Sequence, residues 1–253
     1  MVFIKGGKLE TYEPNTNRAK EVSVLPFYID KQLVSFSDFE SFVKETNYIT
    51  DAEKFGNSLV FDYSDKLWKI LDGVDYKHPQ IPRKKITDSN HPVTQISWKD
   101  AKCYCEYYGK RLPTDYEWEL SAKNGNGSYK KTYSWGDKSK NGSKYAANFW
   151  QGNFPYVNNN LDGFKYTSPV GYFGENELGM TDMGGNVWQW CQDDIAPTME
   201  EALVDTAMRK VLRGGSFLCD PDICHGFNVH GRSSTSPETS SCHIGFRCAK
   251  DLD

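Results

Sequence analysis

A chain of 253 residues is long enough to bury a sizeable core, and 38% hydrophobic with 25% charged residues is the composition of a globular protein. A formal net charge of −4 leaves no basic face for nucleic acid, and no run approaches the roughly 18 apolar residues of a membrane helix, so neither nucleic acid nor a membrane is expected as a partner. The 14% aromatic content, 21 glycines and 11 prolines point to a loop-rich α+β fold built on short elements.

Taken in chain order, Met1-Val2-Phe3-Ile4-Lys5-Gly6-Gly7 reads directly into a strand and a turn, with no signal peptide. Ser37-Asp38-Phe39-Glu40 has the form of a capping box, and Phe39, Phe42 and Val43 recur behind it at helical spacing, which predicts a first helix. A second is expected over Ser97 to Tyr108, capped by Ser97 with Asp100 three residues on and stopped at Gly109. A third follows the capping box Thr114-Asp115-Tyr116-Glu117 and runs to about Lys123, before Asn124-Gly125. His78-Pro79 and His91-Pro92 read as turns, and the chain beyond residue 125 reads as turns and short strands. The polar stretch 156–163 is a long loop of the kind that is functional or held by a ligand. No repeat, low-complexity tract or linker divides the chain, so one domain is expected over residues 1–253.

Seven cysteines, at 103, 105, 191, 219, 224, 242 and 248, cannot all pair within one chain. Cys219 and Cys224 stand in Gly214-Gly215-Ser216-Phe217-Leu218-Cys219-Asp220-Pro221-Asp222-Ile223-Cys224-His225-Gly226, a stretch without helical periodicity. Such a pair suits a disulfide, half of a zinc site, or a thiolate chelate for a soft ion such as Cu(I). Zinc needs further ligands. Cys103 and Cys105 point about 200° apart on their helix, which leaves His225 and His230. Asn148-Phe149 and Asp162-Gly163-Phe164 offer oxygens to a hard cation or simply make turns, and Asp182 to Gln189 is similar, with glycines exposing backbone carbonyls. No Ser-His-Asp order, P-loop or G-x-G-x-x-G is present.

His91-Pro92-Val93-Thr94-Gln95-Ile96-Ser97-Trp98 and Gly109-Lys110-Arg111-Leu112-Pro113-Thr114-Asp115-Tyr116-Glu117-Trp118-Glu119 resemble the formylglycine-generating enzyme (sulfatase-modifying factor) family. So do Gly185-Asn186-Val187-Trp188-Gln189-Trp190, Arg213-Gly214-Gly215-Ser216 and Gly245-Phe246-Arg247-Cys248. The likeness runs from Gly6-Gly7 to Cys248. Its active branch is marked by Ala52-Glu53-Lys54-Phe55-Gly56, Asn148-Phe149-Trp150-Gln151-Gly152 and the Cys219, Cys224 and Ser236 to Ser241 series. The fold implied is a loop-rich relative of the C-type lectin fold. The activity implied is oxidation, by O2, of a cysteine in an unfolded sulfatase segment of form Cys-x-Pro-x-Arg to Cα-formylglycine. Cys219 and Cys224 match the catalytic pair that holds Cu(I), on a polar surface loop that meets the substrate, while Ser216 and Trp188 match residues lining the pocket. Calcium is implied twice: at Asn148, the Phe149 carbonyl, Asp162 and the Phe164 carbonyl, and at Asp182, the Gly185 and Val187 carbonyls and Gln189. A Cys105–Cys248 disulfide and a monomer are implied as well.

The departures are specific. Asp182 and Gln189 stand where the family usually has Asn and Glu, which swaps a carboxylate across the second calcium set. Ala122 and Val229 replace both partners of a second family disulfide. Asp220, Ile223 and the segment 225–232 differ from the family pattern between and after the catalytic cysteines, which bears on substrate preference. Cys103, Cys191 and Cys242 are expected as buried free thiols. The alternative on the same scaffold is a noncatalytic, retroelement-diversified binding protein; residues 217–244, with no Lys, Gln, Met or Trp and a single Glu, suit such variation. An iron-dependent sulfoxide synthase would need a further helical domain, for which this chain has no room. The family works in both cytoplasm and secretory pathway, so the likeness does not fix a compartment.

Overall fold

The structure is a computed structural model that describes residues 1–252 apart from positions 14, 15, 17, 83, 85–87 and 204. It is α+β, with four α-helices among the described residues: α1 (Phe36–Thr46), α2 (Asp51–Phe55), α3 (Trp98–Tyr107) and α4 (Asp115–Ala122). Each begins with a reciprocal capping box, because its first N–H groups need acceptors that the helix cannot supply. For α3 and α4 the caps are the expected Ser97 and Thr114. For α1 the cap is Ser35 with Asp38, which corrects the reading of Ser37 with Glu40. Ser35 is extended, whereas Ser37 already lies inside the helix, so only Ser35 can turn its hydroxyl onto the Asp38 N–H, at 3.2 Å. The five-residue α2 carries no apolar repeat, and its signals are the cap pair Thr50 and Glu53 and the left-handed Gly56 that ends it.

The strands are short, as the glycine and proline content suggested. The strand Phe27–Ile29 pairs with Val2–Ile4 on one side and with Ala249–Asp251 on the other, so both ends of the chain meet in one sheet. A second sheet of four strands runs in the order Arg232–Thr235, Arg209–Arg213, Trp188–Ile195, Ile244–Gly245, the last pairing being parallel. One row across it joins Arg232, Arg213, Gln189 and Gly245. α4 covers this row: Asp115 and Glu119, four apart on one helix face, both reach Arg213 and Arg232.

The main core packs Phe39, Phe42 and Tyr104 from the helices against Trp188, Trp190, Cys219, Phe227 and Phe246. Ala122 and Val229 are fully buried in the adjoining cluster, so the two positions that lost a disulfide together are filled by apolar contact. Among the described residues, no helix is long and apolar enough to cross a membrane.

Candidate functional site

Arg213 ends a strand, and Gly214 and Gly215 follow with φ of 92° and 66°, a left-handed pair that turns the chain away from the sheet. The turn delivers Ser216 to Cys219. The Cys219 N–H donates to the Ser216 carbonyl at 2.9 Å, the Ser216 N–H points at Cys219 Sγ at 3.4 Å, and the Leu218 N–H donates to Ser216 Oγ at 3.2 Å. Ser216 therefore shapes the loop and supplies a backbone donor to the sulfur.

Cys219 and Cys224 are joined as a disulfide, with Cα atoms 5.2 Å apart. The loop between them is pinned by Asp220. Its carboxylate accepts from the Phe154 N–H at 3.0 Å and the Asp222 N–H at 2.9 Å, while its carbonyl takes the Cys224 N–H at 2.7 Å. Asp220, a departure from the family pattern, is thus a buried turn anchor. The expectation that both cysteines sit on a polar surface loop is corrected: Cys219 is only 3% exposed, against the core, and Cys224 alone is partly open. Beside Cys224, Ile223 is 64% exposed, so the approach to the pair is from that side.

Trp188 forms a wall of this site. Its N–H donates to the His243 carbonyl at 2.8 Å, and the His243 ring lies against Trp68 with centroids 4.8 Å apart. Gly226 backs the same indole and lies next to Cys224. Gly226, His243 and Trp68 were not singled out from the sequence; the signal available for Gly226 was a glycine two residues after a candidate ligand. Under the site runs an aromatic stack in which Phe227 lies flat between Phe149, at 5.0 Å, and Tyr133, at 5.4 Å.

A buried ionic cluster holds the two segments that flank the cysteine loop. Arg213 binds Glu119 at 2.6 Å and also Asp115; Arg232 binds Asp115 at 2.7 Å; Lys123 reaches Glu119 at 3.0 Å. His230 is bonded to Glu119 at 3.0 Å, which takes it out of any zinc set with Cys219 and Cys224. Among the described residues no three His, Cys, Asp or Glu side chains gather to hold a metal ion, so a four-ligand zinc centre is not formed.

Asn148 is buried, its Nδ2 donates to the Tyr166 carbonyl at 2.8 Å, and its Oδ1 is left without a partner. Asp162 is a buried carboxylate with no ion-pair partner among the described residues. It accepts from the Phe149 N–H at 3.1 Å and the Phe164 N–H at 2.9 Å. Burial pushes its carboxyl above the usual range. An unpartnered buried amide oxygen and a buried carboxylate without an ion pair are oxygen donors of the kind a hard cation takes. The Gln151 amide nitrogen donates to both Asp162, at 2.7 Å, and the Phe149 carbonyl, so a cation held by these oxygens would have to displace it.

The second set, Asp182, Gly185, Val187 and Gln189, does not fit a cation. Asp182, like Asp162, accepts at both carboxylate oxygens, from Gly171 N–H at 2.8 Å and Asn186 Nδ2 at 3.1 Å, so the difference between the sets lies at Gln189. The Gln189 oxygen faces Trp118 and Arg247.

Of the remaining cysteines, Cys105 and Cys248 bring their sulfurs to 2.6 Å in the core, Cys191 and Cys242 are buried, and Cys103 is only half-buried, against the expectation of burial.

The model of the sulfatase-modifying factor enzyme 1-like domain matches residues 1–252. A formylglycine-generating enzyme of Streptomyces coelicolor is 41% identical over 254 residues, covering 92% of this chain and 80% of that one. A Bos taurus protein named inactive C-alpha-formylglycine-generating enzyme 2 is 36% identical over 274 residues, covering 98% of this chain and 87% of that one. Among solved structures, PvdO from Pseudomonas aeruginosa superimposes with a TM-score of 0.71 at 19% identity, covering 99% of this chain and 93% of that one, which shows the fold.

Proposed function

Since the chain belongs to the sulfatase-modifying factor enzyme family, we propose that it is a copper-dependent oxidase converting a cysteine of an unfolded sulfatase segment, Cys-x-Pro-x-Arg, to Cα-formylglycine. The observation that carries this reading is the pair Cys219 and Cys224, held together with one sulfur packed in the core and the other facing the surface.

Reduced, the two thiolates are soft ligands suited to Cu(I), and Ser216 N–H and Trp188 surround the buried one. Bound copper would supply activation of O2 and a place for the substrate thiolate. The chain's own part is to fix both sulfurs, exclude water from Cys219 behind Trp188 and Phe227, and leave the Cys224 side open to a peptide.

In the net reaction the substrate thiol-bearing carbon becomes an aldehyde, losing two electrons and releasing its sulfur as hydrogen sulfide. O2 accepts four electrons in all, and a thiol reductant supplies the other two and leaves as a disulfide. One oxygen atom of O2 is balanced by the aldehyde and the other by water.

The test is a Cu(I) titration of the reduced chain, followed by oxygen uptake with a short Cys-x-Pro-x-Arg peptide, beside Cys219→Ser and Cys224→Ser. One-to-one copper binding and peptide-dependent aldehyde, both lost in the two variants, are expected. Absence of copper binding by reduced, folded protein overturns the reading. The second reading, a noncatalytic binding protein, is favoured by the 36% identity to a relative named inactive, and the same assay separates the two.

A further inference from the structure

Family membership implies a second calcium position at Asp182, Gly185, Val187 and Gln189. We infer that in this chain the position is closed to cations, because Trp118 and the Arg247 guanidinium hold the Gln189 carboxamide with its nitrogen, not an oxygen, turned to the Asp182 side. The inference rests on family membership and not on the oxidase reading.

The orientation of one amide decides it. Gln189 is fully buried, and its Oε1 accepts from Trp118 Nε1 at 2.8 Å and from Arg247 Nε at 2.7 Å. Both neighbours are donors only, so the amide cannot be turned round: its NH2 would then face two N–H groups. The Gln189 nitrogen is thereby forced to the opposite side, where it donates to the Asp182 carbonyl at 2.8 Å. A donor thus stands where the glutamate usual in the family would place its second oxygen, and it engages the Asp182 main-chain carbonyl.

Arg247 fixes that orientation. It is fully buried, and all five of its N–H donors are matched. Besides Gln189 Oε1, Nη1 donates to the Asp30 and Lys31 carbonyls at 3.2 and 3.1 Å, and Nη2 to the Thr181 and Asp182 carbonyls at 2.7 and 3.1 Å. A guanidinium carries a fixed, covalently attached positive charge, and this one ties the segments at 30, 181 and 247.

Gln189→Glu reverses the logic. One carboxylate oxygen keeps Trp118 and Arg247, and the other faces the Asp182 carbonyl, oxygen to oxygen, an arrangement that a cation relieves. The experiment counts calcium per chain by equilibrium dialysis of the chelator-stripped full chain, for wild type, Asn148→Ala, Gln189→Glu and the double variant. Wild type is expected to bind at most one calcium, lost in Asn148→Ala. Gln189→Glu is expected to bind one more than wild type, and to keep that one in the double variant. Two calcium ions in wild type, one surviving Asn148→Ala, or no gain in Gln189→Glu overturns the inference. Asp162→Asn replaces Asn148→Ala should the latter fail to fold. A Gln189→Glu chain that folds only in calcium counts as the gain; if it folds in neither condition, the wild-type and Asn148→Ala counts decide. No copper or peptide is used, so a failed oxidase assay leaves the count unaffected.

Discussion

Gly226 lies so close to Trp188 that a methyl group in its place would overlap the indole, and the same methyl would stand 3.2 Å from Cys224 Sγ. The glycine lets the wall of the pocket and the outer cysteine share one small space. Gly226→Ala must move the indole or the sulfur, because the core behind Trp188 leaves no slack. We expect a stability loss of about 1–3 kcal/mol from overpacking, and a Cu(I) affinity lower by about 10–100-fold from displaced surroundings. A competition titration against a Cu(I) chelator measures the second effect, and an unchanged affinity would show that the pair tolerates movement of its wall.

The cluster around Glu119 gives a pH dependence. Burial alone would raise this carboxyl, but the Arg213 charge, the His230 hydrogen bond, Lys123 and Arg232 outweigh it and hold it well below the usual range. A depressed carboxyl adds stability that is present above its unfolded pKa of about 4.3 and is lost as pH falls toward the folded value. Urea unfolding between pH 7 and 3 is expected to show this acid loss in wild type and a shallower one in Glu119→Gln. Arg213→Met leaves Asp115 and Glu119 undercompensated in the interior, at a cost of about 3–5 kcal/mol at pH 7. A loss below 1 kcal/mol would mean that Arg232 and Lys123 suffice.

Asp100, the box residue of α3, works in the opposite sense. Burial, with the Asp51 charge adding to it, raises its carboxyl to about 6, against the hydrogen bonds from Ser97, Tyr48 and Asp51. The folded state therefore holds a proton that the unfolded state has released, and the stabilisation is lost as pH rises from about 4 to about 6. Relative to Asp100→Asn, which cannot titrate, wild type should lose stability over that interval. Unfolding midpoints of both proteins at several pH values give the comparison; a constant difference would contradict the burial argument.

Calcium at the Asn148 and Asp162 set should raise stability by mass action, by about 2.7 kcal/mol at a concentration a hundred times Kd. The increment should vanish in Asp162→Asn, which removes the charge a cation would balance. Thermal unfolding in calcium and in chelator, for the two chains, checks it. Equal increments would place the ion elsewhere.

Much of this was legible in the sequence where the cause is local. Ser97 with Asp100 and Thr114 with Glu117 fixed two helix starts, because a capping box is complete within four residues. The family motifs carried the fold and brought Cys219, Cys224, Ser216 and Trp188 into one list before any geometry was known. The first helix start was misread because Ser35 and Ser37 both precede suitable acidic residues, and only the extended backbone at Ser35 distinguishes them. The burial of Cys219 was missed because its polar neighbours Ser216 and Asp220 are themselves buried by local hydrogen bonds, while the rest of its core cluster, Phe149, Trp188 and Phe227 among it, comes from elsewhere in the chain.

The sequence by itself determined three helix-forming segments and the family, and it named candidate sulfur and oxygen ligands, since these depend on neighbours in the chain and on side-chain chemistry. The tertiary structure alone decided what those ligands can bind. Gln189 as a letter is an oxygen donor like any other. Its oxygen is claimed by Trp118, 71 residues away, and by Arg247, 58 residues away, so its nitrogen points at the Asp182 carbonyl. An amide has one acceptor end and one donor end, and which end faces a site is set by whatever the fold places on the other side.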